Sequence, residues 1–146
     1  MTNLIVQLIL GGALITAATA LQVCFIGAMM MTHPAAASLL RRMSILKAAM
    51  TIAASGLWMI IGQMVGVWVW AAALMGLGAF SGLEESLYFS LSAYTTLGFG
   101  DVLPAEEWRI LGALIGANGM LGFGLATAAL VEFLSRVRPS TDDLGS

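Results

Sequence analysis

Thr95-Thr96-Leu97-Gly98-Phe99-Gly100-Asp101, "TTLGFGD", sets two glycines and a carboxylate between apolar segments of an otherwise oily chain. Ahead of it, Glu84-Glu85-Ser86-Leu87-Tyr88-Phe89-Ser90-Leu91-Ser92-Ala93-Tyr94 reads as a short helix whose two carboxylates oppose the positive end of its dipole. About 12 residues of helix measure roughly 18 Å, half a bilayer and not a crossing. Residues 96–100, if extended, span roughly 15 Å and bring the chain back to the side it left. A helix over 84–95 followed by an extended strip over 96–101 is therefore predicted to form a re-entrant loop.

Irregular backbone at membrane depth survives only where it is buried in protein or lines a watery cavity, because each unsatisfied peptide group is costly in lipid. The strip must then face something polar. In an ordinary strand successive carbonyls point to opposite sides; turning them all toward one axis requires alternate residues at positive φ, which glycine adopts at little steric cost. Gly98 and Gly100 alternate with Leu97 and Phe99, the spacing a column of inward carbonyls requires.

The rest of the chain fits a bilayer. Of 146 residues, 60% are hydrophobic and only 10% charged, outside the usual range of soluble domains. The charges fall in groups: Arg41, Arg42 and Lys47; Glu84 and Glu85; Asp101, Glu106, Glu107 and Arg109; Glu132, Arg136, Arg138, Asp142 and Asp143. Between them lie the uncharged stretches 1–40, 48–83 and 110–131, each able to hold a span. No Lys or Arg precedes the first apolar run, so it reads as a retained helix, roughly 4–31, and not as a cleaved leader. Short loops rich in Lys and Arg stay cytoplasmic, which puts Arg41, Arg42 and Lys47 inside and, independently, Arg136 and Arg138. The chain must cross an even number of times between them, so 48–83 supplies one span, 110–131 another, and the N-terminus lies outside. Trp68 and Trp70 are expected in an interfacial aromatic belt, and Trp58, near mid-span, against a neighbouring helix. Residues 71–82 either extend the helix obliquely or form a short turret. Gly11, Gly12, Ala17, Ala18, Ala20 and Gly27 suggest close packing of the first helix against the others.

One His and one Cys assemble no nucleophile–base pair, metal cluster or phosphate loop, so an enzyme is not expected. Cys24, in the first helix, reads as a packing residue, as do Met29, Met30 and Met31. The few basic residues sit at membrane borders, which leaves no nucleic-acid surface.

Thr96-Leu97-Gly98-Phe99-Gly100-Asp101 resembles the T-V-G-Y-G-D selectivity signature of potassium channels, with Leu for Val and Phe for Tyr. The resemblance continues through Pro104 and Trp108 into Phe123-Gly124-Leu125-Ala126-Thr127-Ala128-Ala129-Leu130, which is similar to the end of the inner helix of bacterial two-helix potassium channels. Gly119 matches that family's hinge glycine. The likeness covers roughly 48–133, and the first helix lies outside it.

It implies an all-α membrane protein with three transmembrane helices, a re-entrant pore helix and an extended selectivity filter, assembled as a four-fold tetramer. Residues 1–40 would be an extra N-terminal transmembrane helix with a cytoplasmic turn. Residues 41–138 would be the pore domain, with pore helix 84–95, filter 96–101 and inner helix 107–134, and 139–146 a disordered tail. The carbonyls of Thr96, Leu97, Gly98 and Phe99, with the Thr96 hydroxyl, would replace the hydration shell of K⁺, and Gly100 would complete the filter. Asp101 would stand at the outer mouth, and Gly119, Phe123 and Glu132 are gating candidates. The implied partners are K⁺, three identical subunits and the lipid of a plasma (inner) membrane; no cofactor is implied beyond K⁺. Passive K⁺ conduction is the expected function, with a weakly selective cation channel and a non-conducting membrane subunit of another channel or transporter as rivals. Two departures stand out. Phe99 lacks the hydroxyl with which the family's tyrosine ties the filter to pore-helix aromatics, here Tyr88 and Phe89. Ser92 stands where some bacterial members place a carboxylate that pairs with the aspartate after the filter, so Asp101 is expected to be held differently.

Overall fold

The computed structural model describes residues 2–31 and 45–137. His33, Arg41, Arg42, Arg138 and the tail 139–146 lie outside those residues, as do the side chains of Lys47 and Arg136. Four helices account for most of what is described: α1 (Thr2–Met31), α2 (Ile45–Gly76), α3 (Leu83–Tyr94) and α4 (Arg109–Val137), the last entered through a short 3₁₀ turn, Glu106–Trp108. Three of the helical runs are long and apolar enough to cross a membrane, 4–31, 49–76 and 106–135, so the chain is an all-α, multi-pass membrane protein.

Direction follows from which side chains meet. Gln7 accepts from the Leu111 N–H at 3.2 Å, and Gln22 donates to the Gly122 carbonyl at 3.1 Å, so α1 and α4 run parallel. α2 runs against both: its Trp58 packs on Phe25 with the rings tilted by 41° and their centres 5.3 Å apart, and donates to the Phe25 carbonyl at 3.0 Å. Trp58 thus packs on a neighbouring helix, as expected from its depth. Lipid gives apolar helix faces little reason to associate, so polar contacts and small residues hold such bundles together. Gly11 supplies one of the latter, seated against Leu114.

The stretch 71–82 divides into helix and turn. α2 stays helical to Gly76, and the chain then reverses through Gly78, at φ 72°, delivering Phe80 to the core beside Phe89 at 5.2 Å. The tryptophans near that end also divide. Trp68 is 49% exposed, as a belt residue would be, but Trp70 is fully buried, and its indole N–H donates to Asn118 Oδ1 at 2.7 Å. The belt expectation fails for Trp70 because residues two apart on a helix face different sides. Asn118 in turn donates to Thr19 Oγ1 at 3.3 Å, linking α2, α4 and α1 at one level.

α3 lies inside the angle of α2 and α4. A Cβ built at Gly112 would press on Phe89, and one at Gly119 would land on the Tyr94 carbonyl, so α3 descends alongside α4 and ends where Gly119 is. Gly119 lies about 15 Å along α4 from its first residue, roughly half the apolar thickness of a bilayer. A twelve-residue helix therefore stops at mid-depth. Val67, Trp70, Leu74, Phe80, Tyr94, Leu111 and Ile115 form the core around it; Met29, Met59, Ala126, Ala129 and Phe133 form a second core toward the other end.

Candidate functional site

The last carbonyls of a helix have no partner within it, and at the end of α3 the loop supplies the donors. Thr95 N–H donates to Leu91 O, Thr96 N–H to Ala93 O and Leu97 N–H to Ser92 O, each at 3.0 Å. The last two are the paired bonds of a Schellman end, which requires a left-handed residue just past the cap. Thr96 occupies that position with φ 61°, a conformation that strains a β-branched residue. Gly98 N–H also donates to Ser92 O, at 3.2 Å, and Phe99 N–H reaches Ser92 Oγ at 3.4 Å.

These bonds orient the carbonyls. Among the described residues no peptide is cis, and in a trans peptide the C=O points opposite the N–H of the following residue. The N–H groups of Leu97, Gly98 and Phe99 all aim at Ser92, so the carbonyls of Thr96, Leu97 and Gly98 point away from α3 to the open side. Alternate positive φ values at Thr96, Gly98 (57°) and Gly100 (78°) keep successive carbonyls on that side. The side chains of Leu97 and Phe99 are 63% and 67% exposed on the single chain. The Thr95 hydroxyl is committed to the helix end, donating to Leu91 O at 2.7 Å.

The strip returns along α3. Tyr88, midway along that helix, donates its hydroxyl to Asp101 Oδ2 at 2.7 Å, so residue 101 lies back beside residue 88 and the loop is re-entrant. This hydroxyl is the main reason the Asp101 carboxyl sits below its ordinary value; desolvation opposes it, and backbone N–H groups at 101 and 102 add to the lowering. Phe99 offers no hydroxyl to tie the strip to the helix; Tyr88 makes the tie from the other side. Glu84, Glu85, Tyr88, Asp101 and Val102 line a shallow pocket of about 520 Å³, an anionic rim at this end of the bundle. Glu106 and Glu107 lie exposed on the 3₁₀ turn, Glu106 paired with Arg109 at 3.2 Å.

Of the gating candidates, Gly119 and Phe123 come to the root of the loop and Glu132 does not. Gly119 abuts the Tyr94 carbonyl, and the Phe123 ring meets the Tyr94 ring edge-on at 6.0 Å. Glu132 is exposed near the far end of α4, its carbonyl accepting from Ser135 Oγ at 2.8 Å. Two further residues have contacts that the sequence reading does not foresee: Ser92 figures there only as a departure bearing on Asp101, and Tyr94 is given no role. Ser92 anchors three N–H groups of the strip, and Tyr94, buried at the hub of α3 and α4, donates its hydroxyl to Gln63 Oε1 at 3.0 Å. The signal available for Ser92 was a small polar residue within a turn of Thr96, where a helix end needs its carbonyls matched.

A family model described as an ion channel matches residues 51–136. The match takes in most of α2, all of α3 and the loop, and nearly all of α4, leaving α1 outside. No solved structure matches the chain.

Proposed function

The chain belongs to the ion channel family, and from that premise we propose that it forms a potassium-selective pore of four identical subunits around the strip 96–100. The observation that carries this reading is the set of bonds to Ser92 that turns the carbonyls of Thr96, Leu97 and Gly98 to one side. Phe99 continues that strip, and the Thr96 hydroxyl is the remaining oxygen for the deepest level. One chain offers one oxygen per level, too few to replace the hydration of K⁺; four chains around an axis supply full rings. The apolar side chains of Leu97 and Phe99 support the same assembly, since a neighbouring subunit would cover surface that one chain leaves bare. α3 points the negative end of its dipole at mid-membrane, where a dehydrated cation gains from it.

The chain would lie in a plasma (inner) membrane, with the N-terminus outside and the C-terminus cytoplasmic. Parallel α1 and α4 agree with that parity, because Arg41, Arg42 and Lys47 then share a side with Arg136 and Arg138. Asp101, Glu84 and Glu85 become the outer mouth and raise the local cation concentration. Gating belongs to the pore itself: the α3–α4 contact at Gly119 and Phe123, with Glu132 at the cytoplasmic end.

Flux into liposomes carrying the purified protein, driven by K⁺ or Na⁺ gradients, tests this. Selective K⁺ flux is the expected result. Near-equal K⁺ and Na⁺ permeability would make the protein a weakly selective cation channel, and no flux would make it a non-conducting subunit of another assembly.

A further inference from the structure

α1 lies outside the matched segment, yet it reaches the root of the loop. Gln22 is 4% exposed, and its Nε2 donates to the Gly122 carbonyl on α4 at 3.1 Å. The tips of three side chains crowd Gly122: an ideal Cβ there would stand 2.8 Å from Gln22 Oε1, from Gln63 Oε1 and from the Tyr94 hydroxyl. Polar groups from α1, α2 and α3 thus converge on one glycine of α4. The cluster is under-bonded, since Gln63 Nε2 has no partner among the described residues. In lipid a buried amide that loses its acceptor finds no water to replace it, so the Gln22–Gly122 bond holds α1 and α4 in register. One turn before Gly122, Gly119 touches the Tyr94 carbonyl without slack. Tyr94 is the last residue of α3, and the Schellman bonds just beyond it orient the carbonyls of Thr95 and Thr96.

We infer that Gln22 is a positioning residue for the strip 96–100: α1 is part of the frame of the ion pathway and acts on the filter through the inner helix. The inference rests on the pore reading given above. A shift of α4 at Gly122 is transmitted through Gly119 to Tyr94 and so to the deepest carbonyls of the strip.

The test compares Gln22→Met with Gln7→Met. Gln7 is equally buried, at 5% exposed, and also bonds the α4 backbone, but at Leu111, away from Tyr94. In the assembled protein, amide hydrogen exchange over 95–101 is expected to rise about threefold or more in Gln22→Met. The K⁺/Na⁺ flux ratio falls with it, and Gln7→Met changes neither. If Gln22→Met does not assemble, Gln22→Ser removes the amide with less bulk and is read the same way. Wild-type exchange over 95–101 in the Gln22 variants would overturn the inference, as would an equal rise in Gln7→Met, which would mark general loosening of α1. Wild-type flux judges the pore reading separately, because exchange reports the coupling whichever ion passes.

Discussion

At the scale of single residues, Thr96 and Asp101 carry the strain and the charge of the strip. Holding Thr96 at φ 61° costs about 1–2 kcal/mol for a residue with a Cβ, whereas glycine at the same place forfeits about 0.5–1 kcal/mol of backbone entropy. Thr96→Gly is therefore expected to leave thermal stability unchanged or raised by up to about 1.5 kcal/mol per chain, while K⁺ over Na⁺ selectivity falls because the hydroxyl proposed for the deepest level is gone. Unfolding in detergent and flux in liposomes check the two halves, and a variant with intact selectivity would remove the Thr96 hydroxyl from the ion's ligands. Asp101 is held by Tyr88, and its carboxyl is lowered chiefly by that bond. The tie is thus fully present above the ordinary carboxylate pKa and is lost as pH falls through the depressed one. External acidification should block flux with a midpoint below the usual carboxylate range, and Tyr88→Phe should move the midpoint upward. An unmoved midpoint would mean that the strut does not govern the mouth. Gly98 and Gly100 were legible from spacing alone, since alternate positive φ calls for glycine. Thr96 was not, because its conformation is imposed by the end of α3 and not by its own preference.

At the scale of elements, the half-length helix is fixed by contact with α4 at places where α4 has no side chain. A Cβ on Gly119 would overlap the Tyr94 carbonyl, whereas one on Gly124 meets nothing within 4 Å in the chain. Gly119→Ala must push α4 off α3, an overpacking that costs about 1–3 kcal/mol and is expected to abolish selective flux. Gly124→Ala gains helix propensity worth up to about 1 kcal/mol. Thermal unfolding of the two variants side by side measures the difference; equal stabilities would show that the α3–α4 contact yields easily and would favour Gly119 as a mobile hinge. The existence and length of the spans were legible from where charges fall, because only uncharged runs of sufficient length can cross lipid. The seams were not. Gln7, Thr19 and Gln22 of α1 meet Leu111, Asn118 and Gly122 of α4, and nothing within either helix marks these residues as partners across roughly a hundred positions of sequence. Trp70 misled for the same reason: its depth suits an interface, but its face is decided by Asn118.

At the scale of the whole molecule, one chain is incomplete in two ways that a single remedy meets. Its strip turns carbonyls to an open side where they accept no bond from the described residues, and it leaves Leu97 and Phe99 uncovered at 63% and 67% exposure. Irregular backbone at mid-membrane cannot face lipid, so the open side must look onto water, ions or another copy. In the assembly proposed above, rings of oxygens from several copies would satisfy the backbone through the ion itself, and the ion would then be part of what holds the copies together. A ligand that binds only the assembled state stabilises it by mass action, about 2.7 kcal/mol for one site at a hundred times its Kd. Native mass spectrometry is thus expected to find four chains, and that assembly to resist heat and detergent dissociation better in KCl than in NaCl of equal ionic strength. Ser92→Ala is expected to lower that difference and to leave stability in NaCl unchanged, because it removes the Oγ that takes the Phe99 N–H while leaving the Ser92 carbonyl to hold Leu97 and Gly98. Equal dissociation temperatures in the two salts would mean that the strip binds no K⁺ in the assembled state, and conduction would then have to follow another path through the bundle.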